Sequence, residues 1–140
     1  MTFKALFEGS LNPYLSSDLQ MEKGTLVKLD PANPNKFVIA GAGEAVYGIV
    51  AQDIIAKDVN NFKLDSVTHQ ARVGDKAGVY HEGGLYLTTN FSGNITVPGT
   101  KLYAGANGKL VLTVSGGAVA TAETIGNSAS NAKIRIKLEV

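Results

Sequence analysis

A chain of 140 residues is long enough to bury one core without disulfides or metals to staple it. Thirteen Lys and Arg against twelve Asp and Glu leave a formal charge of +1, too little to neutralise a phosphate backbone or hold an anionic membrane, so neither nucleic acid nor membrane is expected as a partner. The absence of Cys excludes disulfide scaffolds, thiolate zinc sites and thiol catalysis, and no apolar run approaches the roughly 18 residues of a membrane span.

The first stretch, residues 1–23, carries no secretory leader pattern. It places Phe3, Leu6, Phe7, Leu11, Tyr14 and Leu15 without sustained period two, which predicts either a short helix through Phe3, Leu6 and Phe7 or an extended arm lying on a neighbouring molecule. From residue 24 to 140 the pattern changes to short apolar or alternating segments separated by Gly, Asn, Asp and Pro, the mark of many strands joined by turns. Gly24 to Leu29 and Lys36 to Ala40 read as strands, with Pro31 and Pro34 holding the intervening Asp30 to Asn35 in a turn. Ala45 to Gln52 is a continuous apolar run, as a strand covered on both faces would be. Its Gly48 marks a bulge or a close backbone approach, and the segment is the expected central strand. Phe62 to Thr68 is the next predicted strand.

The second half contains an internal repeat. Gly74 to Thr88 lies ungapped over Gly99 to Thr113 and matches at six of fifteen positions, Gly74/Gly99, Lys76/Lys101, Gly83/Gly108, Leu85/Leu110, Leu87/Leu112 and Thr88/Thr113. Each copy reads as a hairpin, with Glu82-Gly83-Gly84 and Asn107-Gly108 supplying the positive-φ positions of a tight turn. Ser115 to Ala118 and Gly126 to Asn131 read as surface loops. In the last strand, Ile134, Ile136, Leu138 and Val140 share one face while Lys133, Arg135, Lys137 and Glu139 share the other, giving one buried side and one wet side. The fold class is therefore all-β, an antiparallel sandwich or small barrel of about nine to eleven short strands, with the N-terminal arm or short helix added.

Groups capable of chemistry are few. His69 follows the Phe62 to Thr68 strand, and His81 sits beside Glu82 at the expected hairpin tip, with Asp65 and Asp75 near in sequence. No two His share the spacing of a metal-ligand pair, so both read as polar turn residues and no enzyme, metal or cofactor is expected. Gly41-Ala42-Gly43-Glu44-Ala45 resembles the front of a dinucleotide loop but lacks the third Gly and a following helix, and it reads as a loop between strands. Tyr80, Tyr86 and Tyr103 read as cross-strand packing residues, or as a sugar platform in the alternative of a carbohydrate- or receptor-binding module.

Three groups of residues resemble the decoration, or cement, proteins of tailed-bacteriophage heads. Glu44-Ala45-Val46-Tyr47-Gly48-Ile49-Val50-Ala51-Gln52-Asp53 is similar to that family's "G-x-x-V-x-G-V-A" strand and acidic turn. Val73-Gly74-Asp75-Lys76 and Val97-Pro98-Gly99-Thr100-Lys101-Leu102-Tyr103 are similar to its "x-x-G-D-x-V-Y" strand start. Ile125-Gly126 with Ala132 to Leu138 is similar to its closing strand. The likeness runs from Thr25 to Val140. It implies a virion structural protein made in the host cytoplasm, a homo-oligomer with a trimer favoured, bound to the outer capsid surface where it clamps neighbouring major capsid subunits. It carries over no binding residues. From the residues themselves, Phe3, Leu6, Phe7, Tyr14 and Leu15 are the expected anchors of the oligomer or capsid contact.

Overall fold

The computed structural model of the chain describes residues 1–15, 20–55 and 70–140, with side chains described at 1–11, 20–55 and 71–140. The expected strand Phe62 to Thr68, with His69 and Asp65, lies outside the described residues. The described chain is all-β, a curled mixed sheet forming a half-barrel.

The strands are β1 (Phe3–Leu15), β2 (Leu26–Asp30), β3 (Asn33–Ile39), β4 (Gly48–Val50), β5 (Asp53–Ile55), β6 (Gln70–Arg72), β7 (Lys76–Thr88), β8 (Phe91–Ser92), β9 (Asn94–Ile95), β10 (Lys101–Ala104), β11 (Leu110–Val111), β12 (Ala118–Ala122), β13 (Gly126–Asn127) and β14 (Ile134–Leu138). Ten form one sheet in the order β1-β3-β2-β4-β7-β14-β12-β10-β11-β8, with β1 also paired to β7. Three pairings, β1 with β3, β8 with β11 and β5 with β6, are parallel, so the sheet system is mixed rather than purely antiparallel. The strand number exceeds the expected one because two-residue bridges such as β8 and β11 carry no apolar period to read.

β7 organises the molecule. One of its edges is taken by β4 at Val79 and Tyr80 and then by β14 from Leu85 to Thr88, while β1 pairs antiparallel along its whole length. Residues 3–15 are therefore neither a short helix nor an arm reaching to a neighbour, but a strand of the protein's own sheet. Among the described residues, the far edge of β1 is met only by β3, through Leu15 and Lys36. Leu6, Phe7 and Leu11 of this strand are exposed.

Two cores lie on opposite faces of the β2-β4-β7 region. Leu26, Ile49 and Tyr80 face the larger core, with Tyr86, Leu102, Ile134, Ile136 and Leu138. Val27, Val50 and Val79 face the smaller one, with Met21, Phe37, Ile54 and Ala71. β4 is thus covered on both sides, as its continuous apolar run predicted. Gly48 lies so close to β7 that an added Cβ would stand 2.0 Å from the Tyr80 carbonyl oxygen. β14 carries the predicted alternation, Ile134, Ile136 and Leu138 buried and Arg135 and Lys137 exposed. It is an interior strand between β12 and β7, not a free edge available to a neighbouring sheet. β3 begins at Asn33 and includes Pro34, which the sequence placed in a turn. The missing N–H of Pro34 is tolerated there because Pro34 falls in the register shift between the Asp30–Asn33 and Leu29–Phe37 pairs.

The repeat folds differently in its two copies. The second is the predicted hairpin, β10 and β11 joined through Asn107 at φ 59 and Gly108 at φ 70. In the first copy Glu82, Gly83 and Gly84 also have positive φ, at 62, 86 and 101, but β7 runs straight on through them. They form a bulge, in which Glu82 and Gly83 oppose the single residue Gly9 of β1. Left-handed backbone serves a tight turn and a bulge equally well, so the glycines alone did not distinguish them. The carbonyl of Val140 accepts from the N–H groups of Glu82 and Gly83 and fixes the bulge from the other side. The second expected loop also holds structure, with β13 paired to β9 and a short 3-10 turn at Ser128–Ser130 capped by the Asn127 side chain.

Candidate interaction surface on the ribbon of β1 and β7

The expected contact residues on β1 do not share one place. Phe3 is 6% exposed, with its ring stacked on Tyr86 at 5.5 Å and tilted against Tyr80 at 6.2 Å. It is a core residue and leaves the contact set. Leu6 and Phe7 are 42% and 71% exposed. The backbones of Tyr14 and Leu15 pair with Ala77 and Lys76, and their side chains lie outside the described residues. Leu11, 50% exposed, joins the accessible apolar residues although the expected contact set left it out.

A shift of register separates Phe3 from Phe7. Phe3, Lys4 and Ala5 pair with Thr88, Leu87 and Tyr86, but the next pair is Phe7 with Leu85, which leaves Leu6 as an extra residue on β1. Regular alternation from Phe3 and Ala5 would turn Phe7 inward. The bulge at Leu6 turns it outward, beside Leu85. The second bulge, at Glu82 and Gly83 on β7, restores the register, so that Ser10 pairs with His81 and Leu11 with Tyr80.

Beneath this bent ribbon a phenol links the two strands. The Tyr86 hydroxyl accepts from the Gly9 N–H at 3.1 Å and donates to the Gly83 carbonyl at 2.9 Å. The Tyr80 hydroxyl donates to Glu8 Oε1 at 3.0 Å. Burial, then the bond to the Glu8 carboxylate, push the Tyr80 phenol up to about 12, and burial raises Tyr86 as well. With Tyr80 at 7% exposure and Tyr86 fully buried, neither ring is available to a sugar; Tyr103 is half-buried.

Farther across the same outer face, Arg135 Nε meets Glu123 Oε1 at 2.9 Å, and Lys101 reaches Glu139 both directly at 3.7 Å and through Thr121. The Thr121 hydroxyl and the neighbouring cations hold the Glu139 carboxyl below its usual range. Elsewhere, Gly41-Ala42-Gly43-Glu44 is a loop, as expected. The Gly41 N–H donates to Glu44, which pairs with Lys28. That pairing lowers the Glu44 carboxyl.

His81 sits beside the β7 bulge rather than at a hairpin tip. Its ring stacks on Tyr47 with centroids 4.1 Å apart, its Nδ1 lies 2.7 Å from the Tyr47 carbonyl oxygen, and its Nε2 lies 3.6 Å from Glu82. Asp75 belongs to the turn that precedes β7, where its N–H donates to the Arg72 carbonyl. Among the described residues no three His, Asp or Glu side chains converge as a metal site, and no helix is long and apolar enough to cross a membrane.

No protein-family model matches this chain, and no curated protein is similar to it in sequence.

Proposed function

We propose that the protein is a virion structural protein that binds the outer surface of an assembled phage capsid and strengthens it by clamping neighbouring major capsid subunits. It acts by binding and not by turnover, as a homo-oligomer, with a trimer favoured. The observation that carries this reading is β1, which runs along β7 with its far edge met, among the described residues, only at Leu15, and with Leu6, Phe7 and Leu11 exposed. An open edge flanked by apolar side chains is a liability in a free monomer and an asset where a second surface covers it. The sequence resemblance from Thr25 to Val140 points the same way. Repeating a modest contact in an oligomer multiplies it, which suits a protein that gains its hold from many small contacts on a lattice. The carbohydrate-binding alternative loses support from the burial of Tyr80 and Tyr86.

The experiment is light scattering of the purified protein followed by pelleting with undecorated heads of the cognate phage. A trimer that pellets with heads is expected, and a monomer that stays in the supernatant overturns the reading. Because β1 is integral to the sheet, its contact role is tested by substitution and not by deletion. Phe7→Ser is expected to lower either the oligomeric mass or the pelleted fraction, and leaving both unchanged removes Phe7 from the contact.

A further inference from the structure

The cross-strand register arranges the outer face of the sheet as two adjacent rows. One runs Lys4, Leu87, Arg135, and the next runs Phe7, Leu85, Lys137, Thr121, Lys101. Directly opposed residues in antiparallel strands stand about 5 Å apart on one face, so these side chains form a single surface. Its centre is apolar, with Phe7 exposed and Leu85 and Leu87 half-buried. Its cations fall into two kinds. Arg135 and Lys101 are already engaged by Glu123 and Glu139. Lys4 and Lys137 are exposed, stand directly opposite Leu87 and Leu85, and lie within 4 Å of no described carboxylate, although the Lys137 charge contributes to lowering the Glu139 carboxyl.

We propose that this face docks a protein surface that presents carboxylates around an apolar contact, with Lys4 and Lys137 as the recognition charges and Phe7, Leu85 and Leu87 as the contact they frame. This rests on the capsid-binding reading, under which the acidic surface is the capsid exterior. Two exposed ammonium groups without a close carboxylate, on either side of a leucine pair, are met best by carboxylates placed to either side of an apolar side chain, and the same pattern repels a basic partner. A polyphosphate or an anionic bilayer fits less well. Glu123 and Glu139 stand on the same face, the whole chain carries only +1, and the centre of the patch is apolar.

The test uses the full chain, undecorated heads of the cognate phage, and two double variants. Lys4→Glu with Lys137→Glu reverses the two proposed recognition charges, and Lys76→Glu with Lys109→Glu reverses two exposed lysines outside the rows as a matched control. Both are first checked for wild-type circular dichroism and melting. The expected result is head binding that weakens with added salt in the wild type, falls by roughly tenfold or more in the first variant and is unchanged in the control. Wild-type protein and the first variant binding heads equally well overturns the docking proposal and leaves the capsid reading standing. Wild-type protein that does not pellet with heads overturns both. In that case, binding to phosphatidylserine vesicles or duplex DNA that is lost with Lys4→Glu and Lys137→Glu assigns the face to a non-protein anion.

Discussion

Replacing Tyr86 by Phe removes one oxygen atom from the centre of the β1–β7 ribbon and leaves the ring, its stacking on Phe3 and its volume in place. That oxygen satisfies two backbone groups, the Gly9 N–H and the Gly83 carbonyl, at the point where the two strands are out of step. Neither group has a regular ladder partner there, and both residues are half-buried, so water replaces the phenol only in part. A buried polar group left unpaired costs about 1–3 kcal/mol, and partial access by water brings the expected loss for the pair to about 2 kcal/mol. With an unfolding entropy of about 2.1 cal/mol/K per residue, 140 residues give about 0.29 kcal/mol/K, so Tm falls by about 7 °C. The assay is urea and thermal unfolding at fixed protein concentration, with Tyr80→Phe as the control. The Tyr80 hydroxyl donates to the exposed Glu8, whose carboxylate turns to water when the phenol is removed, and the control loses less than about 1 kcal/mol. Amide exchange at Gly9 accelerates in Tyr86→Phe alone. Equal losses in the two variants, or a Tyr86→Phe change below about 0.5 kcal/mol, refute the role given to the bulge-bridging phenol.

Two further outcomes are expected. Asn90 is buried and its side-chain amide donates to the carbonyls of Gly24 and Gly108, each at 2.9 Å, tying the start of β2 to the β10–β11 hairpin. Asn90→Asp turns a carboxylate toward those two carbonyls and costs about 2–4 kcal/mol at pH 7. Its carboxyl is raised in the folded state, so the deficit shrinks as the pH is lowered through the carboxylate range; denaturant midpoints at pH 4 and pH 7 check the sign. At alkaline pH, the Tyr80 phenol moves from 10.0 to about 12 on folding. Its contribution to stability is therefore complete below pH 10 and disappears as the pH rises from 10 through 12. Absorbance at the phenolate band and circular dichroism recorded through that window track each other in the wild type, and Tyr80→Phe weakens the dependence.

Some of this architecture was legible because it depends on one strand at a time. The alternation of β14 sorted its buried face from its charged face, the apolar run around Ile49 declared a strand covered on both sides, and Gly48 marked the close approach to Tyr80. Asn107-Gly108 named its own turn. The exposed apolar site was legible only in part. Leu6 and Phe7 were in the expected set, but so was Phe3, and Leu11, Lys4, Leu85, Leu87 and Lys137 were missing from it.

Local sequence determined the buried face of β14, the two-sided burial of β4 and where left-handed backbone is needed, and it left residues 3–15 between a helix and an arm. Tertiary structure decided what each strand lies against. Glu82-Gly83-Gly84 satisfies a turn or a bulge equally, and it became a bulge because β1 runs past it and the Val140 carbonyl closes on its N–H groups. Phe3 and Phe7 are alike in sequence and opposite in fate, because a single inserted residue at Leu6, specified by the register with β7, resets a period of two and turns one ring into the core and the other toward solvent.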